Sequence, residues 1–120
     1  MLLIARILAG LVLAIHVYIV LLETVLFRSR GVKVFGLNAE RAEIMAPAMS
    51  NQGCYNGFLA VALVLGFVWP DPAIAKAFMT YGLVCVAVAG IWGAATVMMR
   101  ILYIQTVPAV LALAAFWLAM

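Results

Sequence analysis

The amino-acid sequence predicts an all-α integral membrane protein, a four-helix bundle forming one domain over residues 1–120. Three observations predict it. Of the 120 residues, 70% are hydrophobic and only 9% are charged, and the mean hydropathy is +1.28. Soluble domains are about half apolar and about a quarter charged, so this composition cannot clothe a water-facing surface. The apolar residues also fall into four stretches. Each has about the 20 residues needed to cross a hydrocarbon core of about 30 Å. Finally, short polar segments separate the stretches and carry most of the charge. Four spans and their loops use the whole length, so a function is expected in the bundle or its loops.

The first span is expected over residues 7–27. Arg6 and the apolar run after it imitate a signal peptide. The run is too long for one, however, and no small-x-small cleavage site follows it. Residues 28–46 form the only long polar stretch. Within it Asn38 is a candidate N-cap, with Glu40 in the first turn, and predicts an interfacial helix over residues 39–46. Pro47 suits the first turn of a new helix or a kink, which places the second span at 47–69. Trp69-Pro-Asp-Pro is a turn with an aromatic at the interface. The third span is expected over 74–97 and the fourth over 101–120, the latter bent at Pro108.

Charge orients the bundle. Arg28, Arg30, Lys33, Arg41 and Arg100 fall in the first and third loops, and Arg6 and Lys76 fall on the other side. The positive-inside rule puts the first set in the cytoplasm and both termini outside, in a multi-pass protein of the plasma membrane. The net charge of +3 is spread over loops with no dense basic patch, which argues against nucleic acid and for membrane lipids as partners.

Polar residues inside the spans are the functional signal. Glu23 stands five residues before Arg28, roughly 7–8 Å inside the cytoplasmic boundary at about 1.5 Å per residue. Asn51, Gln52, Thr96 and Gln105 come to the same level on the other helices, and His16 and Asn56 lie deeper. Gln52 and Asn56 are i, i+4 neighbours, as are Asn51 and Tyr55. Gly53 and Gly57 form a G-x-x-x-G pair, and Gly82, Gly90 and Gly93 give another small face for close packing in lipid. A charged residue at the centre of a span costs about 2.5–3.5 kcal/mol on insertion scales. Glu23 should therefore face the bundle and pair with Arg100, accept amide hydrogen bonds, or carry its proton. Glu23, Arg100 and His16 are the candidates for chemistry. Glu23, Asn51, Gln52, Tyr55, Asn56, Thr96, Arg100 and Gln105 are the candidates for binding a ligand. No metal or cofactor is expected. His16 and Glu23 are about 10.5 Å apart along the helix, too far to share one ion, and no Cys/His cluster supplies other ligands. Cys54 and Cys85 read as small apolar fillers at different depths.

Several segments carry a resemblance. H-V-Y-I-V-L-L-E (His16 to Glu23), K-V-F-G-L (Lys33 to Leu37), N-Q-G-C-Y-N-G-F-L-A (Asn51 to Ala60), G-I-W-G-A-A-T (Gly90 to Thr96) and R-I-L-Y-I-Q-T-V-P-A (Arg100 to Ala109) stand in the order of a bacterial family. The chain resembles the small membrane proteins catalogued as domain of unknown function thirteen-oh-four. The resemblance implies a four-helix membrane fold, a bacterial inner membrane and no established activity. It singles out Tyr18 together with the candidates above. A looser likeness, in the placement of Arg41, Asn51 and Arg100-Ile-Leu-Tyr103, is to the membrane-associated eicosanoid and glutathione metabolism proteins, and is architectural only.

Three functions fit these residues. The first is a polar pocket in the cytoplasmic leaflet that binds, or also transforms, a small lipophilic molecule. The second is a small proton-coupled transporter, oligomeric, using Glu23. The third is an accessory or structural subunit of a membrane complex, in which the polar layer serves helix packing. Whether the chain is an enzyme stays open on sequence alone.

Overall fold

A computed structural model describes residues 2–119 of the chain and is helical almost throughout. Helix α1 is Leu2–Glu23. A π-helical segment, Phe27–Gly31, leads into the single turn α2, Val32–Val34. Helix α3 is Ala39–Val68 and α4 is Pro72–Thr96. The last helix opens on a second π-helical segment, Leu102–Thr106, and continues as α5, Val107–Leu118. Met1 and Met120, the ends of the expected domain and of its fourth span, lie outside the described residues.

The helix limits differ from the expected ones for local reasons. α1 begins at Leu2 rather than at residue 7, because arginine is a good helix former and Arg6 does not interrupt it. Its regular bonding ends at Glu23 rather than at Phe27. There the Thr24 hydroxyl donates to the Val20 carbonyl at 2.6 Å, and the Leu26 and Gly31 amides reach back five residues, to Leu21 and Leu26. A Cβ on Gly31 would strike the Leu22 carbonyl, so glycine is what lets this wider turn fold against the end of α1. Gly36, at φ +68°, then closes α2 with a bond from the Leu37 amide to the Val32 carbonyl.

Residues 39–46 are not a separate interfacial helix. They are continuous with the following residues in α3, and Pro47 sits inside it. Proline lacks its own amide donor and crowds the carbonyl four residues earlier, yet α3 continues past the exposed Pro47. The Asn38 side chain accepts from the Arg41 amide at 2.8 Å and caps the helix start. Asp71 caps α4 in the same way, accepting from the Ala73 and Ile74 amides at 2.8 and 3.2 Å. Pro108 lies just after the π-helical turn Leu102–Thr106. A wider turn moves the preceding carbonyls away from the proline ring and absorbs the missing bond without breaking the helix.

The helices meet in a ring. α1 packs on α3 and α5, and α4 packs on the same two. Leu2, Arg6, Phe67, Pro72 and Phe116 border one space, so the start of α1, the last turns of α5 and the α3–α4 turn share one end of the molecule. Glu23, Phe35 and Arg100 meet at the other end. The larger apolar core joins Ala9, Val12, Leu63, Met79, Leu83, Val86, Ala109 and Ala112. A smaller one, Phe27, Ala42 and Met49 with Phe35 and Leu37, closes the end that carries the α2 segment. α1, α3 and α4 are each long and apolar enough to cross a membrane, and Leu102–Leu118 is a shorter apolar helix. Their outward faces stay apolar, as at Tyr81, Trp92 and Leu118.

Glycines set the closest approaches, as small residues do between helices in lipid. A Cβ on Gly82 would lie 2.9 Å from Leu63, and one on Gly93 would lie 2.9 Å from Ile101. Gly90 is tighter still, because its added Cβ would overlap Thr106, whose hydroxyl donates to the Ala87 carbonyl at 2.9 Å. Of the G-x-x-x-G pair only Gly53 is in contact; Gly57 has open space. Gly90→Ala is expected to destabilise the detergent-solubilised protein by about 1–3 kcal/mol through overpacking. Gly57→Ala should be neutral or stabilising by up to about 1 kcal/mol. Denaturant unfolding followed by circular dichroism measures both, and equal stability of the two variants would contradict this packing.

Candidate polar site at the end of the first helix

The site is built around a carboxylate that ends a helix inside the molecule. Glu23 is the last residue of α1 and only 2% exposed. Its two oxygens are each met by an amide from α3. Asn56 Nδ2 donates to Oε1 at 2.6 Å, and Gln52 Nε2 donates to Oε2. Four residues on a helix are about one turn, so Gln52 and Asn56 reach the carboxylate from successive turns of the same face. The glycine between them makes this possible. A Cβ on Gly53 would lie 2.5 Å from the Thr24 methyl and 3.2 Å from the Glu23 Cβ, so a larger residue would push α3 away. Both carboxyl oxygens therefore act as acceptors of α3 amide hydrogens.

Arg100 does not bond Glu23. It donates to the Val34 carbonyl at 3.0 Å and touches the Met98 sulfur at 3.6 Å. It thereby ties the start of the last helix to the α2 segment. Glu23 and Arg100 nevertheless border one inner cavity of about 160 Å³, together with Gln52, Gln105, Phe35 and aliphatic side chains of α1 and the last helix. A side groove of about 530 Å³ runs between α3 and α4, past Gln52, Asn56, Trp92, Thr96 and Gln105. Gln52, Ile101 and Gln105 border both spaces. On the far side of Glu23 the exposed Arg28–Glu43 ion pair links the first π-helical segment to α3. Such exposed pairs contribute at most about 1 kcal/mol.

The candidate residues thus divide into groups. Glu23, Gln52 and Asn56 are hydrogen-bonded to one another, and Arg100 and Gln105 share the cavity with Glu23. Thr96 borders the groove, but its hydroxyl donates to the Trp92 carbonyl of its own helix at 2.8 Å. Asn51 is exposed, and Tyr55 is 61% exposed with its ring edge-on to Phe58. These two lie on the outer side of α3, because they stand a third of a turn from Gln52 and Asn56. Tyr18 borders the cavity and accepts from Arg30 Nε. His16 is fully buried with the Asn56 amide beside it. Neither of its ring nitrogens is hydrogen-bonded among the described residues. Sequence reasoning missed Val34, Phe35 and Met98. Val34 and Phe35, from the K-V-F-G-L segment, reach the site because the chain folds back after α1, and Met98 reaches it from the turn after α4. Among the described residues no three His, Cys, Asp or Glu side chains gather as a metal site would require.

An all-α chain with three membrane-length apolar helices and a buried carboxylate between them defines the class. The chain belongs to the family described as Protein of unknown function (DUF1304), which matches residues 10–117. No curated protein and no solved structure matches it significantly.

Removing one donor leaves part of a buried carboxylate unpaired. Asn56→Leu is expected to lower stability by about 1–3 kcal/mol, and Asn51→Leu to change it by no more than about 0.5 kcal/mol. Unfolding midpoints in detergent measure both, and an undiminished Asn56→Leu midpoint would remove Asn56 from the site.

Proposed function

We propose that the protein is a four-helix bundle of the bacterial inner membrane that binds a small lipophilic molecule in the inner cavity beside Glu23. The observation that carries this reading is the cavity itself. Its walls are aliphatic and aromatic for the most part, and a carboxylate, a guanidinium and two amides point to it from three helical segments. Binding sites for small molecules have this composition, an apolar lining with a few placed polar groups. A layer meant for packing alone would be filled by its own side chains.

The apolar outer faces of the helices favour lipid surroundings, since water would penalise side chains such as Trp92 and Leu118 there. Five of the seven basic residues, Arg28, Arg30, Lys33, Arg41 and Arg100, stand toward the Glu23 end of the sequence spans. That bias favours a cytoplasmic face for this end, with both termini outside. A reporter fused at the C-terminus reads the orientation, and reporter activity on the cytoplasmic side would reverse it.

Glu23 is the acceptor in this pocket and Arg100 the donor, and the amides of Gln52 and Gln105 orient what lies between them. Native mass spectrometry of the full chain released from its membrane tests the reading. The expected spectrum shows one retained small molecule per chain, which is lost when Ile19→Trp fills the cavity. If wild type and variant carry the same masses, the pocket is not a binding site.

A further inference from the structure

We infer that the ligand has a head of one uncharged six-membered ring and a single long apolar tail. The ring carries a hydrogen-bond donor at one edge and an acceptor at another, as a quinol or hydroxyquinone does. The inference rests on the pocket reading and narrows it to a ligand class.

Size gives the first restriction. The inner cavity of about 160 Å³ is of the same order as the engineered protein cavity of about 150 Å³ that accepts benzene. That is room for one ring beside Glu23 and Arg100. Polarity gives the second. Glu23 has one amide on each oxygen, so a remaining lone pair can take one hydroxyl hydrogen. Arg100 uses Nη2 on Val34 and keeps other N–H groups for a ring oxygen. Apart from Tyr18, Gln52 and Gln105 the rest of the wall is apolar, with Ile19, Ile104 and Phe35 among its members. A phosphate would face the Glu23 carboxylate. A zwitterionic head would surrender its hydration to mostly aliphatic walls, which is unfavourable unless every charge is paired.

The side groove supplies the place for a tail. It shares Gln52, Ile101 and Gln105 with the cavity and passes Val88, Trp92 and Gly93 along the seam between α3 and α4. Trp92 is 72% exposed beside that path, where a chain leaving the cavity would run. A ligand with a small ring head and a linear chain fills both spaces at once.

The test uses the full chain in lipid nanodiscs and follows Trp92 fluorescence, with Trp92→Phe as the blank. The probes are a decyl-substituted benzoquinol, decanol and a lysophosphatidylethanolamine. The expected result is that the quinol binds about tenfold more tightly than decanol, the difference one charge-assisted hydrogen bond supplies. Arg100→Gln should bring the quinol down to the affinity of decanol and leave decanol unchanged. Arg100 also holds the Val34 carbonyl, so Arg100→Gln and Glu23→Gln are each read only after the unfolding midpoint is matched to wild type. Equal binding of quinol and decanol, both abolished by Ile19→Trp, overturns the ring head and leaves the pocket standing. Tighter binding of the lysophospholipid also overturns the ring head, in favour of a zwitterionic one. If no probe binds, the inference and the pocket reading fall together.

Discussion

The buried Glu23 carboxylate is the constraint on which the arrangement depends. An ionisable group held away from water must have its hydrogen-bonding capacity met, or it destabilises the fold by several kcal/mol. Here both oxygens are met from α3. That requirement fixes the register of α3 against α1, since a shift of one residue would carry Gln52 and Asn56 off the shared face. It also fixes the spacing of the two helices, which is why glycine stands at position 53. The polar layer lies between the larger apolar core toward the chain ends and the smaller one formed with the α2 segment. The two cores hold the helices, and the carboxylate and its amides decide how they are aligned.

The two π-helical turns serve the same layer. The first follows Glu23 and turns the chain so that Val34 and Phe35 come back over the carboxylate. The second lies between Arg100 and Pro108 and carries Gln105 toward the cavity and Thr106 toward Ala87. A π turn rotates the residues after it relative to an ideal α-helix and is frequent at functional sites. In this chain both occur beside the polar cluster, and the long uninterrupted helices α3 and α4 face them.

Much of this was legible in the sequence because it follows from short-range rules. Apolar runs gave the long helices, Asn38 gave the cap of α3, and i, i+4 spacing put Gln52 and Asn56 on one face. The carboxylate is recognisable as a buried group in need of partners, and amide hydrogen bonds are among the expected ones. What was not legible depends on how the chain returns on itself. The fold of residues 24–38 brings Val34 and Phe35 to the site and draws Arg100 to a backbone carbonyl instead of to Glu23. Pro47 looked like a boundary because a proline lacks one donor, yet neighbouring bonds carry α3 past it. Asn51 and Tyr55 have the right residue types at the right depth, but helical geometry turns them outward. Depth along a helix could be counted from the sequence, whereas the face could be settled only by the neighbour it meets.

The most direct test of the account is a double-mutant cycle between Glu23 and Asn56, with Glu23→Leu, Asn56→Leu and the double variant unfolded from detergent micelles. If the carboxylate and the amide depend on each other for burial, the double variant is more stable than the sum of the single losses, by about 1–3 kcal/mol. Losses that add to within about 0.5 kcal/mol would show two independent sites, and the carboxylate could then not be what aligns the helices.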